Sequence, residues 1–336
     1  MITEAIYKLS KKENLPAELL RESFVEIIEG KASEAQIAGF LMGLSMKGES
    51  EEEILTTVKL FRDYAVKIKA PEGAIDIVGT GGDRSGTFNV STATSFVVAG
   101  ADVPVAKHGN RSASSQCGSI DVLEELGIKV DMTSEKAERC LFECGITVLF
   151  APLYHPAMKR VAPVRKELKI RTIFNILGPM LNPAGVKYQL LGVSARQYMD
   201  TIARVLIRLG SEDVMVVHSE DGLDEITVTG KTYIVRAKNG EIKNLTVSPE
   251  DAGFMKASLK DIKGGDRKEN ARIILNILKG EKGHQRDMVL MNAAAALQVA
   301  DRASDFKEGI EIASESIDSG KAYYKLEELK KFTNSN

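Results

Sequence analysis

Residues 1 to 69 read as helical throughout. Two internal helix starts carry capping boxes, Ser33 with Gln36 in "SEAQ" and Ser50 with Glu53 in "SEEE", and Gly30 and Gly48 punctuate the ends. In the last of these helices Ile54, Val58, Phe61, Ala65 and Ile68 recur at spacings of four and three, which predicts one apolar stripe that must pack on something. The period changes after "APEG" at 70–73. Short β-rich runs, "AIDIVGT", "VPVAKHG", "ITVLFAP", "YQLLGVS" and "DVMVVHS", then alternate with helical segments. That alternation predicts an α/β domain around a mostly parallel central sheet, preceded by a small all-helical N-terminal domain. From Thr227 to Val247 the sequence reads instead as meandering strands with a turn at Asn239-Gly240, and helical segments follow to the end.

Composition narrows the partners. At 43% hydrophobic and 27% charged, 336 residues suffice for a sizeable core. The 45 basic and 47 acidic residues leave a net charge of -2, so no excess of cation is present to hold a nucleic acid, and any bound phosphate is expected to be small and locally gripped. Cys117, Cys140 and Cys144 are odd in number and form no zinc or disulfide pattern, which points to a reducing compartment; Cys140 and Cys144, one helical turn apart, read as apolar packing. The start "MITEAIYKLSKKENLP" lacks the apolar core of a signal peptide, and no uncharged apolar run approaches 18 residues. The expectation is a soluble cytoplasmic protein with no membrane partner.

The chemistry concentrates where strands end. "DIVGTGGDRSGTFNVSTAT", from Asp76 to Thr94, follows an apolar run and leads into a helix, the position at which α/β sheets bind ligands. Gly79, Gly81 and Gly82 let backbone N–H groups converge on an oxyanion, and Asn89, Ser91 and Thr92 add donors near a helix N-terminus. The stretch is neither a P-loop nor a G-x-G-x-x-G fingerprint. A structural turn would use the same glycines. "KHGNRSASSQCGSIDVLEELG", from Lys107 to Gly127, repeats the design with Lys107, Asn110, Arg111 and serines at 112, 114, 115 and 119. Around "YHPAMKRVAPVRKELKIRTIFNILGPMLNP", Arg165 is suited to grip a planar carboxylate, although its helix could equally be an ordinary exposed face. "SEDGLDEIT" places Asp224 beside Glu225; hard carboxylate oxygens suit Mg²⁺, and adjacent acids are also common in solvated loops.

Taken in order, GTGGD (79–83), NVST (89–92), KHGNR (107–111), GSIDVLEELG (118–127), HPAMK (155–159), RTIFNILGP (171–179) and DGLDE (221–225) closely resemble the anthranilate phosphoribosyltransferases over nearly the whole chain. The resemblance implies transfer of phosphoribose from 5-phosphoribosyl 1-pyrophosphate (PRPP) to anthranilate, a step toward tryptophan. It implies PRPP contacts at Gly79, Gly82, Asp83, Thr87, Asn89, Val90, Ser91, Thr92, Lys107, Asn110, Arg111, Ser112, Ala113, Ser114, Ser115 and Ser119. Anthranilate would meet Gly79, His108, Asn110, His155, Arg165 and Gly178, the arginine facing its carboxylate. Ser91, Asp224 and Glu225 would serve Mg²⁺, two ions per subunit. The expected division is a helical domain at 1–69, joined by helices from about 156–180, and an α/β domain at 70–336, with a homodimer formed through the helical domain.

Two positions depart from the family pattern: Ile120 stands where alanine is usual, and Lys169 where glycine usually follows "KEL". Displacement at the anomeric carbon passes through an oxocarbenium-like state, so stabilising the departing pyrophosphate and positioning the amine are the main tasks. An aromatic amine is already neutral at pH 7, and no residue is assigned as acid or base. The nearest rival, a pyrimidine nucleoside phosphorylase, would carry a lysine immediately before the glycine loop and a "GHTGGTxDKLE"-like segment, and neither is present.

Overall fold

The computed structural model describes residues 1–83, 85–111 and 116–335. Ser112, Ala113, Ser114 and Ser115, named above as PRPP contacts, lie outside the described residues. The chain opens with α1 (Ile2–Ser10), α2 (Ala17–Ile28), α3 (Glu34–Lys47) and α4 (Glu51–Asp63). Helices α3 and α4 start at the two capping boxes, in which the Ser33 and Ser50 side chains accept from the Gln36 and Glu53 N–H groups and the reciprocal bonds are also made. Glu53 does more than cap. Its buried carboxylate also accepts from the Leu15 N–H at 2.9 Å and from the Lys47 ammonium at 2.7 Å, so one side chain ties three segments together.

The core of this helical unit centres on Phe24, which meets Phe40, Phe61 and Phe174 edge to face with ring centroids 5.1, 5.5 and 5.9 Å away. Each such pair is worth roughly 0.5–1.5 kcal/mol beyond area burial. Ile54, Val58 and Phe61 are buried there as the stripe requires. The stripe does not continue as helix, because α4 stops at Asp63 and residues 66–72 are neither helix nor strand. The reason lies in the backbone partners: the Val66 and Ile68 N–H groups donate to the Tyr154 and Pro183 carbonyls instead of to the preceding turn. Ile68 packs in the α/β core.

There follow β1 (Ile75–Gly79), α5 (Val90–Gly100), β2 (Val105–Gly109), α6 (Ser119–Glu125), α7 (Ser134–Cys144), β3 (Ile146–Phe150), α8 (Ala151–Tyr154), α9 (Val161–Leu168), α10 (Phe174–Leu177), β4 (Tyr188–Gly192), α11 (Met199–Arg208) and β5 (Asp213–Ser219). The chain finishes with β6 (Thr232–Lys238), β7 (Glu241–Val247), α12 (Arg267–Leu278), α13 (His284–Val299), α14 (Phe306–Asp318) and α15 (Lys321–Asn334). Among the described residues the strands form one seven-stranded sheet in the order β3-β2-β1-β4-β5-β6-β7. Strands β1 to β5 are parallel, and the β6–β7 hairpin is antiparallel. Asn239 and Gly240 turn that hairpin with φ of +51° and +83°, the pair of positive values that a tight two-residue turn requires. Residues 227–231, expected as part of the meander, are not strand: the Thr227 and Thr229 hydroxyls donate to Asp221 and close a loop instead.

Alternation along the strands supplies two cores. Leu190, Met215, Val217 and Ile234 join a cluster with residues of α5, α7 and α12 to α15, whereas Leu191, Val214, Val216 and Val235 join the cluster of α1 to α4 and α9 to α11. The helical unit is therefore fastened to one face of the sheet. From β1 the chain builds β2 and β3 on one side, then crosses to β4 on the other, so the sheet's topological switch point lies at the C-terminal ends of β1 and β4. All three cysteines are buried, and the Cys140 thiol donates to the Ile146 carbonyl at 3.3 Å. No helix among the described residues is long and apolar enough to cross a membrane.

Candidate active site

The switch point is built on missing side chains. Gly79 ends β1 in register with Gly192 at the end of β4, and a Cβ on either would overlap Asp224. The loop after β5 can thus fold back over both strand ends. There the Gly81 N–H donates to Asp224 Oδ2 at 2.6 Å. Gly81 and Gly82 hold φ of +66° and +77°, which other residues adopt only with strain. Farther along, the Ser85 hydroxyl donates to Asp83 Oδ2 at 2.6 Å and lies 3.2 Å from the Thr87 hydroxyl, while the Gly264 N–H holds the Gly86 carbonyl at 2.9 Å.

Helix α5 begins at this loop. Its N-cap residue, Asn89, does not cap it; the Asn89 side chain donates to the Cys117 carbonyl at 3.2 Å and accepts from Asn270 at 3.1 Å. Val90 is buried beneath, and the Thr92 hydroxyl is buried without any hydrogen-bond partner among the described residues. A buried hydroxyl in that state costs free energy that a ligand oxygen would recover.

Charges of both signs are packed here. Lys107, buried on β2, donates to the Ile77 carbonyl at 2.9 Å and to Ser91 Oγ at 3.3 Å. Burial pushes its pKa down, opposed by the charges of Asp76 and Glu225. Burial and the charge of Asp83 raise Asp224 to about 6, and burial together with Asp224 raises Glu225 well above the ordinary carboxylate value. Both shifts come from burial and from like charges held close together. Among the described residues no three His, Cys, Asp or Glu side chains converge as a closed metal cage. Mg²⁺ needs no such cage, because it is commonly held by one or two carboxylates together with water and phosphate oxygens, so Ser91, Asp224 and Glu225 fit it.

A second group lies behind the ends of β2 and β3. His108 and His155 face each other with Nε2 atoms 3.3 Å apart. Burial holds their pKa values down to about 3 and about 4, so the pair is neutral at pH 7. A Cβ built on Gly178 would meet nothing within 4 Å, which leaves open space beside it. Arg165, on α9, is half-buried with its guanidinium 5.3 Å from the Phe174 ring, and no carboxylate pairs with it among the described residues. Burial lowers its pKa.

One predicted contact points elsewhere. The Arg111 guanidinium is exposed and engaged with Glu124 at 2.7 Å and Asp121 at 2.9 Å, and it also stacks over Phe150. Asn110 stays beside the cleft: its side-chain oxygen accepts from the Arg111 N–H at 2.8 Å, and its carbonyl accepts from the Ser119 hydroxyl at 3.3 Å.

Comparison with known proteins decides the family. Residues 71–323 match the model of the glycosyl transferase family a/b domain, and residues 3–65 that family's helical bundle domain. The anthranilate phosphoribosyltransferase of Desulfitobacterium hafniense strain Y51 is 53% identical over 329 residues, 98% of each chain. The chain belongs to the anthranilate phosphoribosyltransferase family. Solved structures of the family share its fold. That of the Thermus thermophilus enzyme is similar at TM-score 0.92 and 39% identity, covering 98% of this chain and 99% of that one. The Saccharomyces cerevisiae enzyme in complex with PRPP and Mg is similar at TM-score 0.92 and 28% identity, covering 100% of this chain and 98% of that one.

Three residues of the cleft carry no role in the sequence reading. Asp76 is buried inside β1, accepts the His108 N–H at 3.1 Å, and is raised to about 6 by burial against the pull of Asn182 and Lys107. An aspartate at the centre of an otherwise apolar run was the signal available for it. Arg171 and Ser194 meet beside the glycine loop, and nothing in sequence joins residues 23 positions apart.

Proposed function

We propose that this cleft transfers the 5-phosphoribosyl group of PRPP to the amine of anthranilate, giving N-(5-phosphoribosyl)anthranilate and pyrophosphate in tryptophan biosynthesis. The observation that carries the reading is the meeting of glycine-loop amides, the start of α5 and the Asp224-Glu225 pair at one switch point, with the Gly81 N–H already on a carboxylate oxygen. PRPP lies against Gly79, Gly82, Asp83, Thr87, residues 89–92, Lys107, the 110–115 loop and Ser119. Arg111 completes that set once its guanidinium leaves Glu124 and Asp121 for the phosphate. Anthranilate occupies the side lined by Gly79, His108, Asn110, His155 and Gly178, with its carboxylate on Arg165.

Ser91, Asp224 and Glu225 would hold Mg²⁺, two ions per subunit, and the bound metal would supply positive charge against the pyrophosphate. Lys107 and the loop amides add fixed donors where that charge accumulates, and the unpartnered Thr92 hydroxyl gains an oxygen to bond. As the C1–O bond to pyrophosphate breaks, the amine lone pair forms the C1–N bond, and the surplus proton leaves to water or pyrophosphate. The His108–His155 pair is neutral at pH 7 and adds no second cation beside the amine. Fixing both substrates in line is worth up to roughly 7–11 kcal/mol in favourable cases.

The division into a helical unit at 1–69 with segments of 156–180, and an α/β unit at 70–336, gives the cleft a hinge. Exposed Tyr7, Met42 and Met46 on α1 and α3 offer a homodimer surface through the helical unit. The balance of charge and the three buried thiols fit a cytoplasmic setting. Loss of anthranilate fluorescence with purified protein and Mg²⁺, only when PRPP is present, is the expected result. Release of thymine from thymidine and phosphate in a parallel assay would assign the cleft to a phosphorylase instead.

A further inference from the structure

Arg171 lies in the segment between α9 and α10, where the helical unit, β1 and β4 come together. Its carbonyl accepts the hydroxyl of Ser45 on α3 at 2.9 Å. Its guanidinium reaches the other way, donating to Ser194 Oγ just beyond β4 and standing 3.4 Å from where a Cβ on Gly82 would be. Ser194 passes the contact on: its hydroxyl donates to the Gly81 carbonyl at 3.0 Å, which the Thr80 hydroxyl also reaches at the longer 3.3 Å, and its N–H holds Thr80 Oγ1 at 3.1 Å. Arg171 has no ion pair among the described residues and borders an open cavity of about 180 Å³ between the helical unit and the sheet, lined also by Ser45, Glu49, Thr80 and Tyr198.

The Gly81 carbonyl belongs to the same planar peptide as the Gly82 N–H, and in a trans peptide the two point in opposite directions. Between two glycines that peptide turns over at small steric cost, so the local sequence does not fix which face the N–H presents. A hydroxyl on the carbonyl does fix it. With Ser194 holding the oxygen toward β4, the Gly82 N–H is directed to the opposite side, and Arg171 orients the hydroxyl that holds it.

We propose that Arg171 is a positioning residue for PRPP: through Ser194 it sets the Gly81–Gly82 peptide with its N–H toward the pyrophosphate, and through its own main chain it couples that setting to α3. The inference rests on the function proposed above and adds a residue outside its binding set.

The test uses Ser194→Ala, which leaves the charge in place, Arg171→Gln, Arg171→Lys and the double variant Arg171→Gln/Ser194→Ala. PRPP binding in the presence of Mg²⁺ is measured by calorimetry beside steady-state kinetics and thermal unfolding. Ser194→Ala and Arg171→Gln are each expected to weaken PRPP binding about tenfold with the anthranilate KM changed less than twofold. The double variant is expected to be no weaker than the worse single one, because both remove the same restraint. Lysine, which still donates, recovers part of the loss. PRPP binding that stays unchanged, losses that multiply in the double variant, or an anthranilate KM that rises in proportion overturns the inference. Wild-type protein that fails to bind PRPP overturns the functional reading as well; wild-type binding matched by all the variants sinks only the role of Arg171.

Discussion

Replacing Arg165 with alanine separates the two substrates. The guanidinium is half-buried, lies 5.3 Å from the Phe174 ring and pairs with no carboxylate among the described residues, so the anion is expected to come from the ligand. A hydrogen bond to a charged group is worth about 1.5–3 kcal/mol. At 1.36 kcal/mol per tenfold, its loss lowers kcat/KM for anthranilate roughly 10- to 150-fold. The fold loses little, because a cation–π contact of about 0.5–2 kcal/mol is exchanged for relief of an unpaired, partly desolvated charge. Arg165→Lys should fall between, since an ammonium keeps the charge but not the two-pronged geometry. Fluorescence progress curves at fixed saturating PRPP, then at fixed saturating anthranilate, give both KM values. A large rise for anthranilate with the PRPP value near wild type is the expected pattern. Equal rises in both would remove Arg165 from the acceptor side and place it in general domain packing.

Three other outcomes test the scaffold. Glu53→Ala strands the buried Lys47 ammonium and the Leu15 N–H, so urea unfolding should show a loss of about 3–5 kcal/mol; a loss under 1 kcal/mol would mean that the carboxylate is incidental. Lys169, at the end of α9, holds φ +51°, and Lys169→Gly should add about 0.5–1 kcal/mol after the entropy cost of glycine, read as a Tm rise of roughly 1–3 °C; a lower Tm would contradict the strain. Because His108 and His155 have folded pKa values of about 3 and about 4 against an ordinary 6.5, the folded state binds fewer protons than the unfolded one in that window. The stability tied to their neutral forms is complete above about pH 7 and is lost as the pH falls through 6.5 toward 4; NMR titration should find both rings neutral at pH 5.5, and either ring titrating near 6.5 in the folded protein would refute their burial.

What the sequence made legible was whatever depends on near neighbours. Each of the five parallel strands stands out as an apolar run, and both capping boxes lie where α3 and α4 begin, because those signals are local. The end of α4 was not legible. Ala65 and Ile68 keep the helical spacing, yet the Val66 and Ile68 amides are claimed by Tyr154 and Pro183, residues far along the chain. The same limit explains Arg111. A cation in a glycine- and serine-rich loop reads as a grip for phosphate, but Asp121 and Glu124 occupy one face of the helix that follows and take the guanidinium themselves.

The cleft shows the division most clearly. Its donors and acids could be read from two loops and one acidic pair, since strand ends in an α/β sheet announce themselves. The parts that orient those groups could not. Gly192 matters because Asp224 folds across it, Asp76 because the His108 amide and Lys107 lie close to it, and Ser194 because Gly81 is its neighbour from the loop after β1. Each is an ordinary residue made specific by a contact more than 25 positions away in sequence. Binding groups are therefore recognisable by type and spacing, whereas the restraints that aim them exist only once the sheet has brought β1, β2, β4 and the loop after β5 together. An active site whose ligand contacts were all preserved could still fail through a serine or an arginine that never touches substrate.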